Sequence, residues 1–105
     1  MFQLPKRMNH KAIDQDGQEI YTVKPTHPGM VLGEELEERA IKPSAFALQI
    51  GTYPNAITEV IKGKRPISAA LAIKLEAALD ISAGFWMRLQ ANYDLNVERL
   101  KAVTA

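Results

Sequence analysis

The chain is 105 residues long, 47% apolar and 24% charged, with a formal net charge of +1. These values describe one ordinary globular domain, large enough to bury a core without covalent staples. Cysteine is absent, which excludes a disulfide framework and a thiolate metal site.

Residues 1–26 differ from the rest. Asp16-Gly17 stands between short runs carrying Ile13 and Ile20-Tyr21, a pattern that suits a tight hairpin turn. An isolated hairpin is marginal in water, so a flexible arm is the alternative. "KPTHP" follows as an extended linker, because proline disfavours helix in the residue before it.

Helical patterning begins at Pro28, which suits a first turn. In "GMVLGEELEERAI", Leu32, Leu36 and Ala40 share one face, with Val31 beside it, and "EELEE" forms the solvated side. Gly33 weakens this helix by about 1 kcal/mol relative to alanine. A second helix starts at Pro43, as "PSAFALQI", and Gly51 ends it with a positive φ. The third is short, from Pro54 to about Lys62, and Gly63 stops it. Ser68 caps a fourth helix with a core stripe of Leu71, Leu75, Ala78 and Leu79. Ser82 caps a fifth, in which Phe85, Trp86, Leu89 and Tyr93 dominate. The tail after residue 95 either extends this helix or frays.

Five short helices with short connections predict an all-α domain. The expected organisation is an arm or hairpin over 1–26, a helical domain over 27–95, and a tail or helix extension over 96–105. No apolar run reaches the roughly 20 residues of a membrane helix, and the stretch 69–81 is interrupted by Lys74 and Glu76. "MFQLPKRMNH" lacks the apolar centre of a signal peptide. A cytoplasmic protein with no membrane partner is expected.

Residues 43–62 add a specific pattern. Phe46 and Ile50 face inward one turn apart, and small Ala47 beside them admits a crossing helix. Gly51 opens the turn, and Ile57 and Val60 anchor the next helix. This is the helix-turn-helix spacing. With Ile57 and Val60 inward, Asn55 and Thr58 turn outward near the helix start, with Glu59 beside them and Lys62 further along. A recognition helix presents its N-terminal residues to the major groove in this way. Asn pairs bidentately with adenine, and Thr hydrogen-bonds or meets the thymine methyl.

The charge distribution supports this. Residues 1–39 carry five Lys/Arg against seven Asp/Glu, residues 40–75 five against one, and residues 76–105 three against four. The positive excess therefore surrounds the third helix. Lys62, Lys64 and Arg65 are placed to neutralise phosphates, and Ser44 stands at the start of the second helix, where free N–H groups suit a phosphate. The bland alternatives are a solvated helix face and a solvated basic turn.

His10 and His27 are the only histidines, and no nucleophile triad, phosphate loop or paired catalytic carboxylates stand out. Neither enzyme activity nor a metal or other cofactor is expected. Phe85 and Trp86 are adjacent on one helix and cannot point the same way. One belongs in the core, and the pair supplies the candidates for a dimer interface.

The segment from His27 to about Leu95 resembles HigA-type antitoxins of the Xre-like helix-turn-helix class. The most specific pieces are "HPG" at the first helix, "GKRPIS" after the third, and "FWMRLQANYDL" in the fifth. The resemblance implies a lambda-repressor-like five-helix fold, a homodimer and a palindromic DNA operator. It also implies a HigB-type ribonuclease toxin that the antitoxin neutralises. Carried over by position, the DNA-facing set is Thr52, Tyr53, Asn55, Thr58 and Lys62, with Lys64 and Arg65 near the backbone. The chain departs from the family pattern at Pro43, Tyr53 and Lys62. A stand-alone regulator without a toxin, and a toxin-binding module that has lost DNA binding, are the competing expectations.

Overall fold

The computed structural model describes residues 25–104. The expected hairpin or arm lies outside these residues, except for its last two. Five helices follow in order: α1 (Pro28–Glu38), α2 (Pro43–Gln49), α3 (Pro54–Ile61), α4 (Ala69–Leu79) and α5 (Ala83–Thr104). Thr26–Asp94 form one compact unit. Residues 95–104 continue α5 as part of a second unit. No helix among the described residues is long and apolar enough to cross a membrane.

The helices start and stop for local reasons. Proline opens α1, α2 and α3, where the missing N–H has no intrahelical partner to lose. Ser68 Oγ accepts the Leu71 N–H at 3.1 Å, and Ser82 Oγ accepts the Phe85 N–H at 3.0 Å. The stops of α1, α2 and α3 share one geometry. In α2, Thr52 N–H returns to Ala47 O and Gly51 N–H to Leu48 O. In α3, Lys64 returns to Glu59 and Gly63 to Val60. Each is a Schellman closure with glycine in the left-handed region, at φ 77° for Gly51 and 79° for Gly63.

The third closure corrects an expectation. Helical spacing puts Ala40 on the core face of the first helix, yet it is exposed with φ 57° and takes the position that glycine holds elsewhere. Its N–H reaches Glu37 O, and Ile41 N–H reaches Leu36 O. The helix therefore ends at Glu38, and Ile41 rather than Ala40 packs against the core.

The core gathers Leu32 and Leu36 from α1, Phe46 and Ala47 from α2, and Ile57 and Val60 from α3. Ile67, Ala72, Leu75, Leu79 and Trp86 complete it. The buried stripe of α4 is Ala72, Leu75 and Leu79, so Leu71 and Ala78 flank it instead of lying within it. Trp86 is fully buried and meets Phe85 edge-on at 5.5 Å between ring centroids. Of the two adjacent aromatics, Trp86 is thus the core member and Phe85 is half-buried.

Side-chain bonds of long sequence separation join the elements. Arg39 donates to Leu79 O at 3.0 Å, capping a carbonyl at the end of α4. Lys74 donates to Ile50 O at 3.1 Å, doing the same for α2.

Candidate nucleic-acid interface

The α2–turn–α3 unit is seated from two sides. Phe46 and Ala47 face the buried Ile57 and Val60 across the turn, with Ala56 buried beside them. From the other side, the start of α1 lies against the end of α3. A Cβ added to Gly29 would fall 1.8 Å from Val60 O, so only glycine permits this approach. Gly33 lies close too, with 3.1 Å between its virtual Cβ and an Ile61 methyl.

His27 completes that seat. Its Nδ1 accepts the Gly29 N–H at 2.9 Å and caps α1. Its ring meets Tyr93 of α5 edge-on at 4.7 Å and covers Gly63, the residue that ends α3. The ring is buried, which holds its pKa below the ordinary histidine value; nearby Asp94 opposes part of that shift. In the "HPG" triplet, the histidine therefore caps, the proline opens the first turn, and the glycine admits the close backbone approach.

With its inner face so fixed, α3 presents a defined outer one. Tyr53, Pro54 and Asn55 are exposed at its start, Tyr53 at 76%. Tyr53 occupies the N-cap position but makes no side-chain capping bond, so its phenol is free to extend outward. Thr58 is half-buried, and its hydroxyl donates to Asn55 O at 3.2 Å. That bond uses the hydroxyl's proton and leaves its oxygen able to accept. Thr52 is half-buried in the turn, and Ser44 is exposed on the first turn of α2.

Lys62, Lys64 and Arg65 are all exposed at the far end of α3. Arg65 pairs with Glu59, six residues back on α3. The pair is solvent-exposed and contributes little to stability, but it masks the one acidic side chain on this helix. Asn55, Thr58, Lys62, Lys64 and Arg65 are thus brought onto or beside one helix, while Ser44 stands apart at the start of α2. The bonds by which Lys74 and Gln90 hold the ends of the two flanking segments leave no signal in the sequence pattern. Their partners lie 24 and 23 residues away, and no local spacing marks such a bond.

Among the described residues, no cluster of His, Asp and Glu could hold a metal ion. A shallow depression lined by Gln49, Ile50, Lys74, Ala77 and Ala78 carries one charged group, Lys74, already bonded to the Ile50 carbonyl.

Known proteins share this arrangement. No protein-family model matches the chain. Virulence-associated protein A' of Dichelobacter nodosus is 40% identical over 73 residues, 69% of this chain and 64% of that protein. Antitoxin HigA-1 of Vibrio cholerae is 36% identical over 73 residues, covering 69% of each. The solved structure of Pseudomonas aeruginosa antitoxin HigA with the higBA promoter is 39% identical, with a TM-score of 0.68 over 70% of this chain and 82% of that one. The chain belongs to the HigA family of helix-turn-helix proteins. The HigA likeness covers about two-thirds of the chain, and the chain spans just under two-thirds of the Dichelobacter protein's length.

Proposed function

We propose that this protein is a DNA-binding antitoxin that represses its own operon and neutralises a HigB-type ribonuclease. The observation that carries the reading is the outer face of α3. Tyr53, Asn55, Thr58 and Lys62 stand out from a helix whose inner face is locked by α1 and α2, and the face runs directly into Lys64 and Arg65. Likeness to a HigA solved with its promoter supports the same reading.

In this mechanism Asn55 and Thr58 read base edges in the major groove, with Thr52 and Tyr53 at the groove's rim. Ser44, Lys62, Lys64 and Arg65 hold phosphates and set register. The DNA-binding domain is residues 27–95, preceded by residues 1–26 and followed by the continuation of α5. Two copies, paired through a seam that includes Phe85, would place two α3 helices in successive major grooves about 34–36 Å apart on a palindromic operator. A dimer so placed on a promoter excludes RNA polymerase. The protein works in the cytoplasm, as a binder and not an enzyme.

A gel-shift assay with the DNA upstream of its own gene tests the reading. A sequence-specific shift at moderate salt is expected. The absence of any such shift would overturn the repressor role. Co-expression with a neighbouring gene for a small basic ribonuclease tests the antitoxin role. Relief of that toxin's growth arrest is expected; unrelieved arrest by an otherwise folded protein would leave a stand-alone regulator.

A further inference from the structure

The basic loop after α3 is short, charged and exposed, yet both of its ends are fixed. At Gly63 the two Schellman bonds return to α3, and the His27 ring covers the turn. At the other end Ile67 is fully buried, and its N–H donates to Gln90 Oε1 at 2.8 Å. Gln90 is itself only 6% exposed, and its Nε2 donates to Asp94 Oδ1 at 3.0 Å. Asp94 accepts only, when ionised, so it orients the Gln90 amide with its oxygen toward Ile67.

Between those ends stand Lys64, Arg65 and Pro66, and proline fixes one more backbone angle. Gln90, Tyr93 and Asp94 lie three and four residues apart on one face of α5. Tyr93 touches His27 at one end of the loop, while Gln90 bonds the other. The Ile67 side chain alone would anchor its residue; the Gln90 bond also sets the plane of the Pro66–Ile67 peptide.

We propose that Gln90 is a positioning residue for DNA binding, holding the backbone of the Gly63–Ile67 loop so that Lys64, and Arg65 through the guanidinium N–H groups not bonded to Glu59, meet phosphates without reordering of the loop. This rests on the DNA-binding reading above. A loop already in place loses less conformational freedom on binding than a mobile one. Gln90 touches no DNA in this account and acts only through the loop.

The test measures operator affinity against salt concentration for the full chain and for Gln90→Met and Gln90→Glu, with melting followed by circular dichroism. The Lys64→Ala/Arg65→Ala pair is made in the wild-type and Gln90→Met backgrounds. Gln90→Met keeps the length of the side chain but offers the Ile67 N–H only a weak thioether acceptor. It should fold, bind about tenfold more weakly, and flatten the log–log salt slope by up to about 2, the loss of two phosphates. In the Lys64→Ala/Arg65→Ala background, Gln90→Met should cost less than about twofold.

Gln90→Glu keeps an acceptor for Ile67 but sets a carboxylate against Asp94. Its affinity relative to wild type at the same pH should improve as pH falls from 8 to 6 and a proton relieves that repulsion. His27, Tyr93, Asp94, Lys64 and Arg65 are present in both proteins, so each value is referred to wild type at the same pH.

A folded Gln90→Met with the wild-type slope, or with an undiminished loss when Lys64 and Arg65 are already absent, overturns the proposal. Should Gln90→Met fail to fold, a pH-independent ratio for Gln90→Glu overturns it instead. A wild-type protein that binds no DNA overturns the function reading and this role with it. That outcome is visible in the wild-type arm alone.

Discussion

Replacing Gly29 by alanine adds one methyl at the tightest backbone approach in the fold. The new Cβ would lie 1.8 Å from Val60 O and 2.6 Å from Val60 C, where real Cβ atoms stay beyond 3.0 Å. Both obstacles are backbone, so no rotamer relieves the clash. The start of α1 must withdraw from the end of α3 by at least the difference, about 1.2 Å. A gap of 0.5–1 Å already forfeits a quarter to a half of each contact's attraction, and Leu32 and Leu36 pack against the same core as Ile57 and Val60. Overpacking of this kind costs about 1–3 kcal/mol, and a backbone clash belongs at the top of that range. At about 3 kcal/mol the melting temperature falls by roughly 12–24 °C for a domain of this size. Thermal melting by circular dichroism measures it. Gly33→Ala is the control: its Cβ meets a single Ile61 methyl at 3.1 Å, which can yield, and alanine gains about 1 kcal/mol of helix propensity. Gly33→Ala is therefore expected to stay within about 1 kcal/mol of wild type. A Gly29→Ala protein equally close to wild type would refute the seating of α3 described above.

Ala40→Gly removes the strain of an alanine in the left-handed region and should stabilise by about 1 kcal/mol, read as a higher urea midpoint with unchanged m-value; a lower midpoint would show that the closure of α1 is misassigned. His27 has its pKa lowered by burial, so the unfolded chain takes up its proton more readily than the folded one. Its contribution to stability is complete above the unfolded value, about 6.5, and is lost as pH falls below it toward the folded value. Protonation of Nδ1 would also break the cap on Gly29. Urea midpoints at pH 7.5 and 5.5 should therefore differ for wild type and differ less for His27→Asn, which caps without titrating in this range; equal pH dependence of the two proteins would count against this role.

Much of this arrangement is legible in the sequence because its causes are local. Gly51 and Gly63 are glycines where a helix must close in the left-handed region, and Ser68 and Ser82 are caps three residues from the N–H groups they accept. Ile57 and Val60 follow from helical spacing alone. Ala40 misleads because its spacing from Leu36 fits the apolar stripe, while the closure needs a left-handed residue and uses alanine for it. Arg39, Lys74 and Gln90 are out of reach for another reason. Each bonds a backbone group 23 to 40 residues away, and only the packed fold brings those partners together. The same holds for "HPG" and "FWMRLQANYDL". They read as separate family marks, but His27, Gly29, Gln90, Tyr93 and Asp94 converge on the end of α3 and the loop beyond it.

The central claim is a division of labour: α3 reads bases, and the loop after it holds phosphates. Titration of an upstream operator duplex and a scrambled duplex, across a salt series, tests it with Asn55→Ala and Lys64→Ala. Asn55→Ala should lose about 1–3 kcal/mol on the operator, almost nothing on the scrambled duplex, and keep the wild-type salt slope. Lys64→Ala should weaken both duplexes alike and reduce the slope by about 1. Equal losses on both duplexes for Asn55→Ala, with an unchanged slope for Lys64→Ala, would contradict the account.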